Sequence, residues 1–155
     1  MITGEMKRLI EENTLGLVAS IDPEGYPAVS PKGTMLVLDE RTIAFSNIRS
    51  PQTVRNIQLK PAVEINFFDP FRRKVCRLRG RAVYAEKGSA RFEALQPRFA
   101  AKWDKLLPRM RGFVVVDVQK AQIVLSPVYD DGAIESELRK QWLATYASRH
   151  GQNST

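Results

Sequence analysis

One cysteine, Cys76, and one histidine, His150, are all that this chain offers of the two softest metal-ligating side chains. A lone thiol excludes an intramolecular disulfide, and one Cys with one His is too few for a structural zinc site, so no metal is expected. Long apolar runs are missing too. Nothing approaches the roughly 18 to 20 residues of a membrane helix, and Glu5, Lys7, Arg8, Glu11 and Glu12 stand where a secretory leader carries its apolar stretch. A soluble, cytoplasmic protein with no membrane partner is expected. The sequence shows no internal repeat, no low-complexity linker and no block of like charge long enough to form a disordered arm.

Negative charge is the scarcer sign. Against 24 Lys and Arg stand 17 Asp and Glu, a formal charge of +7, which favours anionic partners: phosphorylated cofactors or, less selectively, nucleic acid. With 43% hydrophobic residues in 155, the chain fits one compact domain over residues 1–150, with 151–155 as a loose tail.

Met6, Leu9 and Ile10 after Thr3 predict an opening helix with Thr3 as its N-cap. Leu15 to Ile21 reads as a strand, Asp22-Pro23-Glu24-Gly25 as a type I turn, and Tyr26 to Leu38 as the returning strand. A turn at Asp39-Glu40-Arg41 leads to a third strand, Thr42 to Ser46. Ser50-Pro51 starts a short helix that puts Val54, Ile57 and Leu59 on the core and stops at Lys60-Pro61. Ala62 to Phe68 and Val75 to Glu86 form a second hairpin. Between Ser89 and Leu106, helical spacing is interrupted by Pro97, which predicts two short helices. Gly112 to Val118 and Gln122 to Ser126 make a last strand pair, and an amphipathic helix over about 133–148 carries Ile134, Leu138, Trp142, Leu143 and Tyr146. Six or seven short antiparallel strands with peripheral helices favour a mainly β, closed or nearly closed barrel.

Two constellations bear on chemistry. Arg77, Arg79 and Arg81 share one face of their strand, with Cys76, Leu78, Ala82 and Tyr84 on the other. A solvated face offset by Glu64 is one reading, and an anion site using Arg forks, with Arg77 nearest the ligand, is the other. The second constellation is the helix start at Ser50. Unpaired N–H groups and the positive dipole end would receive a phosphate at Ser50, Gln52 and Thr53, with Arg49 or Arg55 adding charge. An ordinary Ser-Pro cap accounts for the same residues. Cys76 faces the core as a small hydrophobe, and His150 belongs to a surface tail.

The order Phe45-Ser46-Asn47, Ser50-Pro51-Gln52, Lys60-Pro61 and Lys74-Val75-Cys76-Arg77-Leu78-Arg79-Gly80 resembles the FMN-binding split β-barrels related to pyridoxamine 5'-phosphate oxidase. Ser30-Pro31-Lys32-Gly33 brings it closer to the small flavin-binding members than to the vitamin-pathway oxidase. The resemblance implies a homodimer with FMN at the subunit interface. The ring and ribityl chain would lie beside Lys32-Gly33-Thr34 and Ser46-Asn47, and the phosphate on Ser50, Gln52 and Thr53 with charge from Lys32 and from Arg49 or Arg55; Ser30 is counted among the cofactor-binding residues. Phe67, Phe68 or Arg77 would contribute across the dimer seam; Trp103 and Trp142 read first as helix anchors packed on the core, with the resemblance admitting either near the ring edge from the other subunit. Pro51-Gln52 replaces the family's phosphate-binding Arg-Lys pair, Val75 stands for its flavin-contacting Gln, and its C-terminal Arg-x-His signature has no clear match. Pyridoxamine-phosphate oxidation itself is therefore not expected.

Three functions remain open: an FMN-dependent oxidoreductase acting on an unidentified small molecule, a flavin carrier without its own substrate, and a basic nucleic-acid-binding barrel. The resemblance also admits a deazaflavin or haem. The nucleic-acid reading is least favoured, because the Arg77, Arg79, Arg81 face lacks interleaved aromatic platforms.

Overall fold

The computed structural model describes residues 1–151. Four helices, α1 (Gly4–Asn13), α2 (Pro51–Leu59), α3 (Ala90–Trp103) and α4 (Glu135–Gly151), surround seven strands: β1 (Gly16–Ile21), β2 (Pro27–Lys32), β3 (Met35–Val37), β4 (Thr42–Asn47), β5 (Ala62–Asp69), β6 (Lys74–Glu86) and β7 (Gly112–Leu125). Every pairing is antiparallel, in the order β2-β1-β5-β6-β7-β4-β3. Of the expected tail, Gly151 closes α4 and residues 152–155 lie outside the described residues.

The single strand expected over Tyr26 to Leu38 is two. Gly33 and Thr34 break it, β2 pairing with β1 and β3 with β4 at opposite ends of the sheet. That break dictates the shape. Three chain steps from Lys32 to Met35 reach at most about 11 Å, whereas a flat sheet would hold its outermost strands about 29 Å apart at ~4.8 Å per spacing. The sheet must therefore curl until its two edges meet at Gly33-Thr34, giving a split barrel, and the Ser46 N–H donates to the Thr34 carbonyl at 3.3 Å across the corner.

Alternation fills the interior with Val18, Ile43, Phe45, Ile65, Phe67, Leu78, Val114 and Val116, none more than 1% exposed. Met6, Leu9 and Ile10 of α1 join this core, with Thr3 capping the helix through the Met6 N–H as expected. A second core lies under α3, where the Phe92 and Phe99 rings stack on Phe113 at 4.5 and 4.0 Å. That packing overrides Pro97: α3 is one helix, not two. Pro97 and Glu93 are both exposed, so the carbonyl left without its N–H partner lies on the solvent side of the helix. The expected last strand pair is likewise one strand. β7 follows β6 for its whole length and, instead of turning, absorbs Gln119 as a bulge between the pairs Arg79–Lys120 and Gly80–Val118. On α2, Val54 and Ile57 are buried, but Leu59 is 64% exposed because the last turn runs off the sheet.

Asp69 closes the β5–β6 turn. Its carboxylate, 1% exposed, accepts from the Phe71 and Arg72 N–H groups at 2.9 Å and from the Arg72 guanidinium at 2.8 Å. Burial pushes its pKa up, but those donors outweigh it and hold it below 3.8. Arg72 also pairs with Glu12 at 2.6 Å, and Lys74 binds Glu5 and Glu135, so one charged cluster ties α1 and the start of α4 to the sheet. Asp69→Ala strips the turn of its acceptor and is expected to lower unfolding free energy by about 3 kcal/mol in a urea melt. In the wild type the carboxylate's contribution is complete above pH 3.8 and is lost as pH falls through the lowered folded value.

Candidate functional site

The split corner gathers short polar side chains from four segments. Lys32, the last residue of β2, is only 7% exposed; its Nζ donates to the Ser30 and Ser50 hydroxyls at 2.6 Å each. Among the described residues no carboxylate bonds to it. Burial pushes its ammonium below the ordinary 10.5. Ser50 precedes α2 but does not cap it as expected, since its Oγ makes no bond to the helix and serves Lys32 instead. Asn47 holds the loop in place: its Oδ1 accepts from the Ser50 N–H at 3.0 Å and its Nδ2 donates to the Tyr84 hydroxyl at 3.0 Å. That hydroxyl donates in turn to the Arg111 carbonyl at 3.2 Å. Thr34 and Ser46 join hydroxyl to hydroxyl on the far side of the corner.

A buried ammonium beside the N-terminal end of a helix is electrostatically lopsided. Both carry positive potential, and the hydroxyls around Lys32 bring no charge to offset it. Thr53, in the first turn of α2, is 5% exposed and faces the sheet. Asn56, 0% exposed, anchors the same helix by donating to the Ser20 hydroxyl at 3.0 Å.

Ser30, Lys32, Thr34, Ser46, Asn47, Ser50 and Thr53 thus cluster at one corner, with Gly33 exposed in its connecting turn. Gln52 is engaged within α2, donating to Asn56 Oδ1 at 2.8 Å and accepting from Arg55 at 3.3 Å. Arg49 is exposed and turned toward a cavity beyond the loop. Phe67 and Arg77 lie away from this corner. Phe67 is 0% exposed in the barrel interior, because strand alternation turns it inward and Phe68, 44% exposed, outward. Arg77 lies on the outer face, its Nε 3.3 Å from Glu64 and 3.2 Å from Asn66 Oδ1, while Arg79 meets the same carboxylate at 2.9 Å. Burial raises the Glu64 pKa, but the Arg79 and Asn66 hydrogen bonds and the nearby guanidinium charges outweigh it and bring it below 4.5. Glu64 thus offsets Arg77 and Arg79 on the outer face, while Arg81 forms no salt bridge among the described residues.

Sequence reasoning did not single out Tyr84, Ser20 or Asn56. An asparagine on the buried side of α2, between Thr53 and Ile57, was the available signal, since a buried amide needs a partner. Cys76 is buried, and desolvation pushes its thiol up to about 12, so it is an inert core residue. His150 is exposed on α4, stacked on Tyr146.

The pyridoxamine 5'-phosphate oxidase family model matches residues 2–125, from α1 to the end of β7. The chain belongs to that family. Among solved structures it is similar to HupZ of Group A Streptococcus, with 29% identity and a TM-score of 0.70 over 81% of this chain and 96% of that one. A Lactobacillus delbrueckii protein provisionally assigned as a pyridoxamine 5'-phosphate oxidase shares 23% identity, TM-score 0.65, over 77% and 92% of the two chains. An FMN-binding protein of Syntrophomonas wolfei shares 13%, TM-score 0.63, over 77% and 84%, a likeness of fold. No curated protein matches the chain significantly. Within the pyridoxamine 5'-phosphate oxidase family match fall all seven strands and every residue of the split corner; α4 lies beyond it.

Proposed function

We propose that this protein is an FMN-binding oxidoreductase acting on a small molecule, with the cofactor phosphate at the split corner. The observation that carries the reading is Lys32: a 7% exposed ammonium with hydroxyl partners only, beside the N-terminal end of α2. An unpaired buried charge is kept when a ligand supplies its counter-ion. The residues fit an FMN phosphate. Lys32 would supply charge, the Ser30, Ser50 and Thr53 hydroxyls and the first amides of α2 directional donors, and Arg49 exposed charge in place of the family's Arg-Lys pair. The backbone at Gly33-Thr34 and Ser46-Asn47 would border the ring. FMN, when bound, supplies hydride and single-electron chemistry. The protein's share is to orient the cofactor and exclude water, and Asn47, locked between Ser50 and Tyr84, keeps that cradle preorganised.

A homodimer belongs to the same reading. Leu17, Val29 and Phe68 are 41%, 63% and 44% exposed on the outer face of β1, β2 and β5, a surface suited to a second copy.

The visible spectrum of the protein as purified, followed by titration with FMN and with its deazaflavin analogue, tests the proposal. Flavin absorbance, or saturable FMN uptake exceeding that of the analogue, is expected, and sedimentation should show a dimer. A colourless protein that takes up no FMN would sink the reading; preference for the analogue would move it to deazaflavin chemistry.

A further inference from the structure

Beyond the Asn47–Pro51 loop, away from Lys32, a cavity of about 480 Å³ opens among Arg49, Lys87, Arg109 and Arg111, with Pro108 and Met110 in its wall. Its volume falls within the range of about 300–1,000 Å³ typical of small-molecule sites. Four cations reach it from three separate segments: the loop before α2, the turn after β6, and the run from α3 into β7. No acidic residue lines it, and none of the four makes a salt bridge among the described residues. By contrast, Arg72 is paired with Asp69 and Glu12, and Arg77 and Arg79 share Glu64. Like charges brought together without counter-ions lose mutual repulsion when a polyanion binds.

We infer that this cavity is a second anion site, for the diphosphate of a nucleotide. A single phosphate leaves part of the cluster unmatched, whereas two adjacent phosphates present oxygens on several sides to guanidinium forks. The apolar lining of Ile48, Pro51 and Pro108 suits a flat base better than a bare ion. Of the residues proposed to hold the FMN phosphate only Arg49 lines the cavity; Lys32, Ser30, Ser50 and Thr53 do not, so the two sites adjoin at the loop before α2 without coinciding. The inference deepens the oxidoreductase reading by naming the second ligand's class, but the binding itself does not depend on that reading.

Calorimetric titration of protein saturated with FMN, using ADP, AMP, adenosine, pyrophosphate and a short single-stranded oligonucleotide, is the test. ADP should bind more tightly than AMP or pyrophosphate, and adenosine should show no heat. The double variant K87Q/R109Q should weaken ADP about tenfold or more while leaving the melting temperature and FMN uptake unchanged, since both side chains are exposed. R111Q should weaken ADP independently. The inference is overturned by ADP failing to bind, by ADP and AMP binding equally, by affinity that ignores the variants, or by an oligonucleotide binding far more tightly than ADP. ADP binding to protein that refuses FMN would uphold this site and remove the flavin reading.

Discussion

Lys32→Met should abolish most FMN affinity and at the same time stabilise the cofactor-free protein. Loss of a charge-assisted hydrogen bond to phosphate, worth about 1.5–3 kcal/mol, corresponds to about 10- to 100-fold weaker binding. The gain in stability has the same origin. The ammonium is buried with hydroxyls only, and its pKa is pushed down because the charged form is poorly solvated. A methionine of similar length has no such penalty, and about 1 kcal/mol of added stability is expected. A residue whose removal strengthens the fold and empties the site is held there by function.

The pH dependence separates this account from a merely structural lysine. Between the lowered folded value and 10.5, the unfolded chain holds a proton on Lys32 that the folded chain has released. Lys32 therefore makes cofactor-free stability rise with pH in that window, and FMN affinity fall as the ammonium is lost. Lys74 acts in the opposite sense and elsewhere. Burial lowers its pKa, but Glu135 and Glu5 outweigh it and raise the value, so its contribution is complete below 10.5 and lost above. Urea melts of wild type and K32M below pH 10.5 should diverge least at the alkaline end; parallel curves would reject the desolvated ammonium.

Gly80→Ala should be the most damaging single methyl in the chain. A Cβ at Gly80 would overlap the Asp117 carbonyl oxygen, lie 2.9 Å from the Asp117 carbonyl carbon and 3.0 Å from Val116 Cγ1. Two of those three atoms are backbone, in a strand also hydrogen-bonded to β4, so nothing can rotate away. The position sits at the Gln119 bulge between β6 and β7. A loss of about 3 kcal/mol is expected from overpacking, read as a shifted urea midpoint. Gly33→Ala is the control: nothing lies within 4 Å of its added methyl, and a change within about 0.5 kcal/mol is expected.

Much of the barrel was readable because alternation is a local property. Val63, Ile65 and Phe67 inward, with Glu64, Asn66 and Phe68 outward, needs only a period of two. The misreadings were of a different kind. Pro97 is a helix breaker by itself, and only the stacking of Phe92 and Phe99 on Phe113, a residue far along the chain, holds α3 through it. Gly33 looks like an ordinary strand glycine until the sheet curls and the segment has to serve both edges. Gln119 looks like part of a turn until β6 is laid beside it.

The split corner divides in the same way. Ser30, Lys32, Ser46, Asn47 and Ser50 were identifiable as small polar residues in a recurring order, and the α2 start as a donor of free N–H groups. What local sequence cannot show is that Lys32 is buried without a carboxylate partner among the described residues, that Ser50 turns from its helix to serve it, or that Phe67 fills the barrel interior. Those depend on which strands become neighbours.

By itself, then, the order of residues determined the inward and outward faces of each strand, the helix starts at Thr3 and Ser50, and the basic balance, since these follow from dihedral preference, period and charge within a few residues. Tertiary structure decided where the sheet closes, which cations lose their counter-ions and which keep them, because solvation and Coulomb energy depend on neighbours brought together from distant parts of the chain.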